Sequence, residues 1–261
     1  MSTGLLQEAP RGGAPAPEEI SEGLSALWED GSDRLLICFS GFHTRERPWS
    51  LFHFMGLMKK FPVNQLFFRD PHLAWYHKGI PGISGSIDET AAYIGSVIAE
   101  RKIKKTMALG VSSGGYAALI HGWLLELDEV HAVVPQTYVD VDNRLIDNDF
   151  RMDDNTPNLY DGYPVQTEYF ELAPLFRRAP NLRTKINVHY CSNHRLDAAH
   201  ALRMEGVPGV TLHAYEEGGH RLTPRLTRDG TIDRWVENAL GVKADPKRMP
   251  VGRGGAGAEA F

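Results

Sequence analysis

The sequence predicts an α/β fold: a mostly parallel, twisted sheet with helices on both faces and a short lid. Three observations predict it. Short runs that are apolar throughout, such as Leu35–Phe39 (LLICF) and Val130–Val134 (VHAVV), alternate with longer stretches of helical spacing. A strand buried on both faces has no polar side, so such runs belong to a parallel sheet covered above and below. The 261 residues suit one core of this kind, and no internal repeat or shift of composition marks a second domain.

The elements follow in order. The first 17 residues are rich in Gly, Pro and Ala and carry no periodicity. They predict a disordered leader over 1–19, with the folded unit over 20–242. Leu35–Phe39 reads as a buried strand, Trp49–Phe61 as a helix with large apolar residues, and Gln65–Phe68 as a second strand. Ile87–Arg101 has helical spacing and an acidic first turn, which suits the helix dipole. Thr106–Leu109 is a strand running straight into Gly110, and Gly114–Leu127 is the helix after it. Val130–Val134, Ile186–Tyr190 and Val210–Tyr215 are strands; Leu196–Met204 and Ile232–Leu240 are helices. The tail over 243–261 repeats the composition of the leader and predicts disorder.

Composition removes several function classes. The formal net charge is −5, whereas binding through counterion release needs a basic face, so no nucleic-acid partner is expected. No stretch of about 18 apolar residues is present, so no membrane span is expected. Cys38 and Cys191 each lie in an apolar run and read as buried free thiols. The N-terminal stretch lacks a basic start followed by an apolar run, and the expected location is the cytoplasm. Neither H-E-x-x-H nor a C-x-x-C pair occurs, nor a Walker-type loop, and the single G-x-G-x-x-G, at Gly252–Gly257, lies in the glycine-rich tail rather than between a strand and a helix, so no metal and no cofactor is expected.

Right-handed crossovers place the C-terminal ends of parallel strands on one edge, and that edge carries the site in open α/β sheets. Gly110-Val111-Ser112-Ser113-Gly114 lies there and matches G-x-S-x-G. The bare pattern arises by chance in roughly one such chain in eight, so its position between strand and helix is what gives it weight. The turn is tight enough to strain the serine backbone, its flanks must be small, and the hydroxyl then stands at a helix N-terminus. Ser112 is the candidate nucleophile. His220 follows the last strand on a Gly218-Gly219 loop and is the candidate base. Asp197 follows the preceding strand and is the candidate acid, although its position also suits a helix N-cap; Asp140 and Asp142, after Val130–Val134, remain open as alternatives. Two backbone N–H groups would complete an oxyanion hole: Ser113, after the nucleophile, and Phe42, in the Ser40-Gly41-Phe42-His43 loop.

Residues 138–181 are too long for a simple crossover and predict the lid. They hold acidic residues, Arg144, Arg151 and the aromatics Tyr160, Tyr163, Tyr169 and Phe170. Loop 69–83 forms the opposite wall. His43, Trp75, Tyr76, His77 and Tyr138 are the candidate substrate-binding residues, weighed evenly against a role in packing. The polarity favours a small polar molecule, a glycan or a peptide over long-chain fat.

These motifs, in matching order over roughly residues 35–240, resemble the α/β-hydrolase superfamily. One departure is Ser40-Gly41, where the superfamily often has His-Gly. Three segments, 67–77, 133–140 and 196–201, also look like a bacterial subgroup of such hydrolases found beside polysaccharide and natural-product genes. The resemblance implies hydrolysis of an ester or thioester through an acyl-serine. Acyl transfer to a glycan or peptide, and isomerisation or epimerisation of a peptide natural product, are the alternatives.

Overall fold

The computed structural model describes residues 16–42, 52–161, 165–178 and 183–248. In chain order they form β1 (Glu18–Ser21), β2 (Leu24–Leu27), β3 (Arg34–Phe39), α1 (Met55–Met58), β4 (Asn64–Phe68), α2 (Ile87–Glu100), β5 (Lys105–Val111), α3 (Ser113–Leu124) and β6 (Glu129–Val133). There follow α4 (Val141–Asp147), α5 (Thr156–Tyr160), α6 (Leu172–Arg177), β7 (Lys185–Cys191), α7 (Arg195–Arg203), β8 (Val210–Tyr215), α8 (Leu222–Arg228) and α9 (Thr231–Leu240). The strands form one sheet in the order β1-β2-β4-β3-β5-β6-β7-β8. Neighbours from β4 to β8 run parallel, and the antiparallel β1–β2 hairpin is added along the β4 edge.

Side chains alternate across a strand, and β3 shows why its run is apolar throughout. Leu35, Ile37 and Phe39 enter one core with α2, α3, α6 and α7, while Leu36 and Cys38 enter a second core with α1, α8 and α9. Local chemistry sets the start of α2. Ser86 Oγ accepts the Glu89 N–H at 3.1 Å, and the Glu89 carboxylate reaches back to the Gly85 N–H at 2.6 Å, a variant of the capping box. Cys38 and Cys191 are free and buried. No helix among the described residues is long and apolar enough to cross a membrane.

Three expectations need correction. The helix expected over Trp49–Phe61 shrinks, within the described residues, to Met55–Met58. Phe54 takes a left-handed φ of 67° at its start, and Pro62 disfavours helix at Phe61. The sheet begins at Glu18, inside the expected leader; a four-residue edge strand reading EEIS has no pattern of its own and is fixed by pairing with β2. The expected tail is packed as far as Arg248, which binds both Glu29 carboxylate oxygens at 2.7 Å, while the Asp245 N–H donates to Lys60 O at 2.8 Å. The rest of the leader and tail lies outside the described residues.

Several buried histidines are held neutral. On β6, β7 and β8, His131, His189 and His213 form a ladder of stacked rings, with Trp235 of α9 over His131 at 4.5 Å and His189 at 4.0 Å. One set of neutral tautomers satisfies its inner links: Tyr215 O–H donates to His189 Nδ1, His189 Nε2–H to His131 Nδ1, and His131 Nε2–H to Glu129. Burial lowers the pKa of all three, and lowers His77 to about 3 and His121 to about 4. The unfolded chain therefore binds more protons than the native one between pH 6.5 and those values, and stability falls as pH drops through that window. His77 and His121 alone predict a loss of about 4 kcal/mol between pH 7 and pH 5. Urea midpoints across that range check it; an unchanged midpoint refutes it.

Candidate active site

The site is built where β5 turns into α3. Ser112 sits between them at φ 56°, ψ −120°, a strained conformation for a residue with a side chain. The glycines on either side have steric work. A Cβ on Gly110 would stand 2.0 Å from Gly114 O, and one on Gly114 would stand 2.2 Å from Phe39 O. The turn presses against β3 so closely that only hydrogen fits. The Ser112 N–H is anchored on Val133 O at 3.0 Å, and its side chain is left at the N-terminal, electropositive end of α3.

The β7–α7 and β8–α8 connections bring the other two candidates to it. His220 Nε2 lies 3.2 Å from Ser112 Oγ, and His220 Nδ1 lies 2.9 Å from Asp197 Oδ1. Asp197 is buried, and burial pushes its carboxyl up. His220, then Arg151, outweigh that effect and hold it below the usual carboxylate range. Asp197 does not cap α7: that position belongs to His194, whose Nδ1 accepts the Asp197 N–H at 3.3 Å. Asp140, the alternative acid, caps α4, with Oδ1 accepting the Asn143 N–H at 2.8 Å and Oδ2 the Asn143 side-chain amide at 2.9 Å. Asp142 lies in the first turn of that same helix.

Ser113 opens α3, so its N–H belongs to the first-turn amides that a helix leaves without internal partners. Gly41 lies against Ser112: a Cβ there would meet Val111 O at 2.9 Å and Ser112 Cβ at 3.3 Å, and Phe42 is the next residue along the chain. His43 and Tyr163 lie outside the described residues.

The aromatics expected to bind substrate are placed otherwise. Trp75, Tyr76 and His77 are buried rather than at a mouth. Asp70 is the cause: its carboxylate accepts the N–H groups of His72, Ala74 and Tyr76 at 3.0, 2.7 and 2.9 Å and coils the loop inward. Tyr76 O–H then donates to Ser40 O at 2.8 Å, and His77 Nε2 meets Tyr116 Oη at 2.9 Å. Trp75 packs on Phe42 with ring centroids 4.8 Å apart. Tyr138 is also buried, donating to Asp147 at 2.5 Å and stacking on His200.

Two residues at the site were not singled out from sequence. Gln136 follows β6, is 3% exposed, and donates from Nε2 to Ser112 Oγ at 3.1 Å. It is delivered by Val134, whose φ of 43° is an outlier for a β-branched residue before proline. Arg151, from the segment between β6 and β7, donates from Nη1 to Asp197 Oδ1 at 2.8 Å. A polar amide directly after a strand at the site edge was the one available signal for Gln136. Arg151 had none.

No known family model and no curated protein matches the chain. Solved structures similar to it include the capsule O-acetyltransferase of Neisseria meningitidis serogroup A, at TM-score 0.56 and 14% identity over 80% of this chain and 90% of that one. An esterase of Pyrococcus furiosus aligns at TM-score 0.55 and 15% identity over 84% of this chain and 87% of that one. An α/β hydrolase from a lagoon-sediment metagenome aligns at TM-score 0.55 and 12% identity over 85% and 98%. At these identities the likeness is one of fold, and by the sheet order, the crossovers and these neighbours the chain has the α/β-hydrolase fold.

Proposed function

We propose that the chain is a serine-nucleophile enzyme that cleaves an ester or thioester of a polar substrate through an acyl-Ser112 intermediate. One observation carries the reading: the Ser112 hydroxyl, on a strained turn, is 3.2 Å from His220 Nε2, and His220 Nδ1 is 2.9 Å from the buried Asp197. With Nδ1–H directed at Asp197, Nε2 is left as the acceptor. Ser112 Oγ attacks the carbonyl carbon as its proton passes to Nε2, and the π pair moves onto the carbonyl oxygen. The Ser113 and Phe42 N–H groups are the proposed donors to that oxyanion. Collapse re-forms the carbonyl and expels the alcohol or thiol, which takes the proton from His220; water then repeats the sequence on the acyl-serine.

A fluorophosphonate probe tests this without a known substrate. The wild type becomes labelled and Ser112→Ala does not. Labelling that persists in the variant, or none in the wild type, sinks the proposal. Catalysis that survives Ser112→Ala would favour isomerisation or epimerisation instead.

Acyl transfer is the second reading. The likeness to a capsule O-acetyltransferase, a histidine variant of which was solved with CoA, supports it. Acyl product formed only when a glycan or peptide acceptor is supplied would decide for transfer over hydrolysis.

Gln136 has a role in either reaction. With Ser112 O–H directed at His220, the Gln136 amide donates to the same oxygen and stabilises the negative charge that grows there as the proton leaves. A hydrogen bond to a charged group is worth about 1.5–3 kcal/mol, so Gln136→Ala is expected to slow acylation by roughly tenfold to a hundredfold. Single-turnover acylation by p-nitrophenyl acetate measures it; an unchanged rate removes Gln136 from the mechanism.

A further inference from the structure

The acid of the proposed relay has an unusual support. Asp197 Oδ1 receives two donors, His220 Nδ1 at 2.9 Å and Arg151 Nη1 at 2.8 Å. The same guanidinium grips Asp149, with Nε at 2.9 Å and Nη2 at 2.7 Å. Both carboxylates are sealed from solvent, Asp149 at 4% and Asp197 at 1% side-chain exposure. A planar guanidinium grips one carboxylate through two N–H groups and aims a third at the other in one fixed plane, a geometry that the point charge of an ammonium does not enforce.

Asp149 is itself anchored. It accepts from His200 Nε2 at 3.1 Å, while His200 Nδ1 accepts the Thr137 N–H at 3.1 Å, so the His200 ring is neutral and adds no charge. Thr137 stands next to Gln136, which touches the nucleophile. Arg151 is therefore held on the side away from Asp197 by a buried, neutral-and-anionic scaffold, and reaches Asp197 from a segment that belongs to neither β7 nor α7.

The charge count explains what this arrangement does. Without Arg151, two uncompensated buried carboxylates would stand behind the imidazole. With it, one net negative charge remains, matching the one positive charge that His220 acquires when it takes the serine proton. We infer that Arg151, carried by the β6–β7 segment, is a positioning residue for the proposed catalytic acid: it locks the Asp197 carboxylate toward His220 and cancels the second buried charge. This rests on the Ser112–His220–Asp197 reading. It makes assembly of the relay depend on docking of the β6–β7 segment, since the cation arrives with that segment.

The pH readout follows from the groups that face Asp197: His220 on its 3₁₀ turn, His194 at the start of α7 with Nδ1 3.0 Å from Oδ2, and Arg151 on the insertion. Removing the cation leaves more negative charge beside the imidazole and favours its protonated form. The acid limb of the activity profile then moves to higher pH.

The test is the rate of fluorophosphonate labelling of Ser112, followed across pH in the wild type, Arg151→Ala and Arg151→Lys, with thermal melts of each. Arg151→Ala is expected to label roughly tenfold to a hundredfold more slowly, with its acid limb shifted upward and its rate restored by millimolar guanidinium. Arg151→Lys keeps the charge but lacks the fork, folds, and falls between the two. If Arg151→Ala does not fold, Arg151→Lys and Asp149→Asn carry the test, both labelling more slowly than wild type. Wild-type labelling rates in the folded variants overturn the inference. So does a slowed rate with neither guanidinium rescue nor a moved acid limb, which would make Arg151 a structural tie only. A wild type that is never labelled sinks the serine reading itself, a result distinct from both.

Discussion

His220→Ala is expected to lower kcat on an activated ester by roughly 10⁴–10⁶-fold, down to the level left by Ser112→Ala, because members of such a relay act as a unit. The residue has what a base requires. It is carried on Gly218 and Gly219, at φ 120° and 53°, conformations a side chain would resist. They let the chain leave β8, fold over the sheet edge and bring Nε2 within 3.2 Å of Ser112 Oγ. The imidazole side chain is 34% exposed, so truncation leaves no cavity in a packed core and the fold should be nearly as stable as wild type. Turnover of p-nitrophenyl acetate beside a thermal melt makes the check. A variant that melts normally and turns over near the wild-type rate would reject His220 as the base.

Asp197→Asn is expected to cost roughly 10⁴-fold in kcat, the scale seen when a triad aspartate becomes an amide, while Asp140→Asn stays within a few-fold of wild type. At position 197 an amide can present its NH₂ to His220 Nδ1, which turns Nδ1 into the acceptor and places the ring proton on Nε2, where it blocks proton uptake from Ser112. At position 140 the carboxylate caps α4, and asparagine is an equally good cap, so neither stability nor rate should move much. The reverse ranking would transfer the acid to the end of β6 and dismantle the relay as proposed.

Legibility in the sequence followed the range of the interaction. β3, β4, β5, β6 and β7 were readable because burial on both faces writes itself as a local apolar run; β8, a half-exposed edge strand, was readable from its β-branched and aromatic residues. α2 was readable because its helical spacing and acidic first turn are set by close neighbours along the chain. The β1–β2 hairpin was not, since Glu18–Ser21 is polar and held by its partner, and neither was the docking of Arg248 on Glu29, across more than two hundred residues. Trp75, Tyr76 and His77 were misplaced for a related reason. Their loop turns inward on the Asp70 carboxylate, and composition cannot say which way an aromatic loop folds.

What the sequence determined by itself is the parallel sheet, the glycine-flanked serine between strand and helix, and the order Ser112, Asp197, His220 along the chain. Each depends on spacing or on residue size at one turn, which are local properties. Tertiary structure decided which aspartate faces the imidazole, that Asp140 is a cap, and that Gln136 and Arg151 converge on the same few ångströms. The physical reason is that the role of a charged or amide group is set by its direction and by what excludes water from it, and both are supplied by elements distant in the chain.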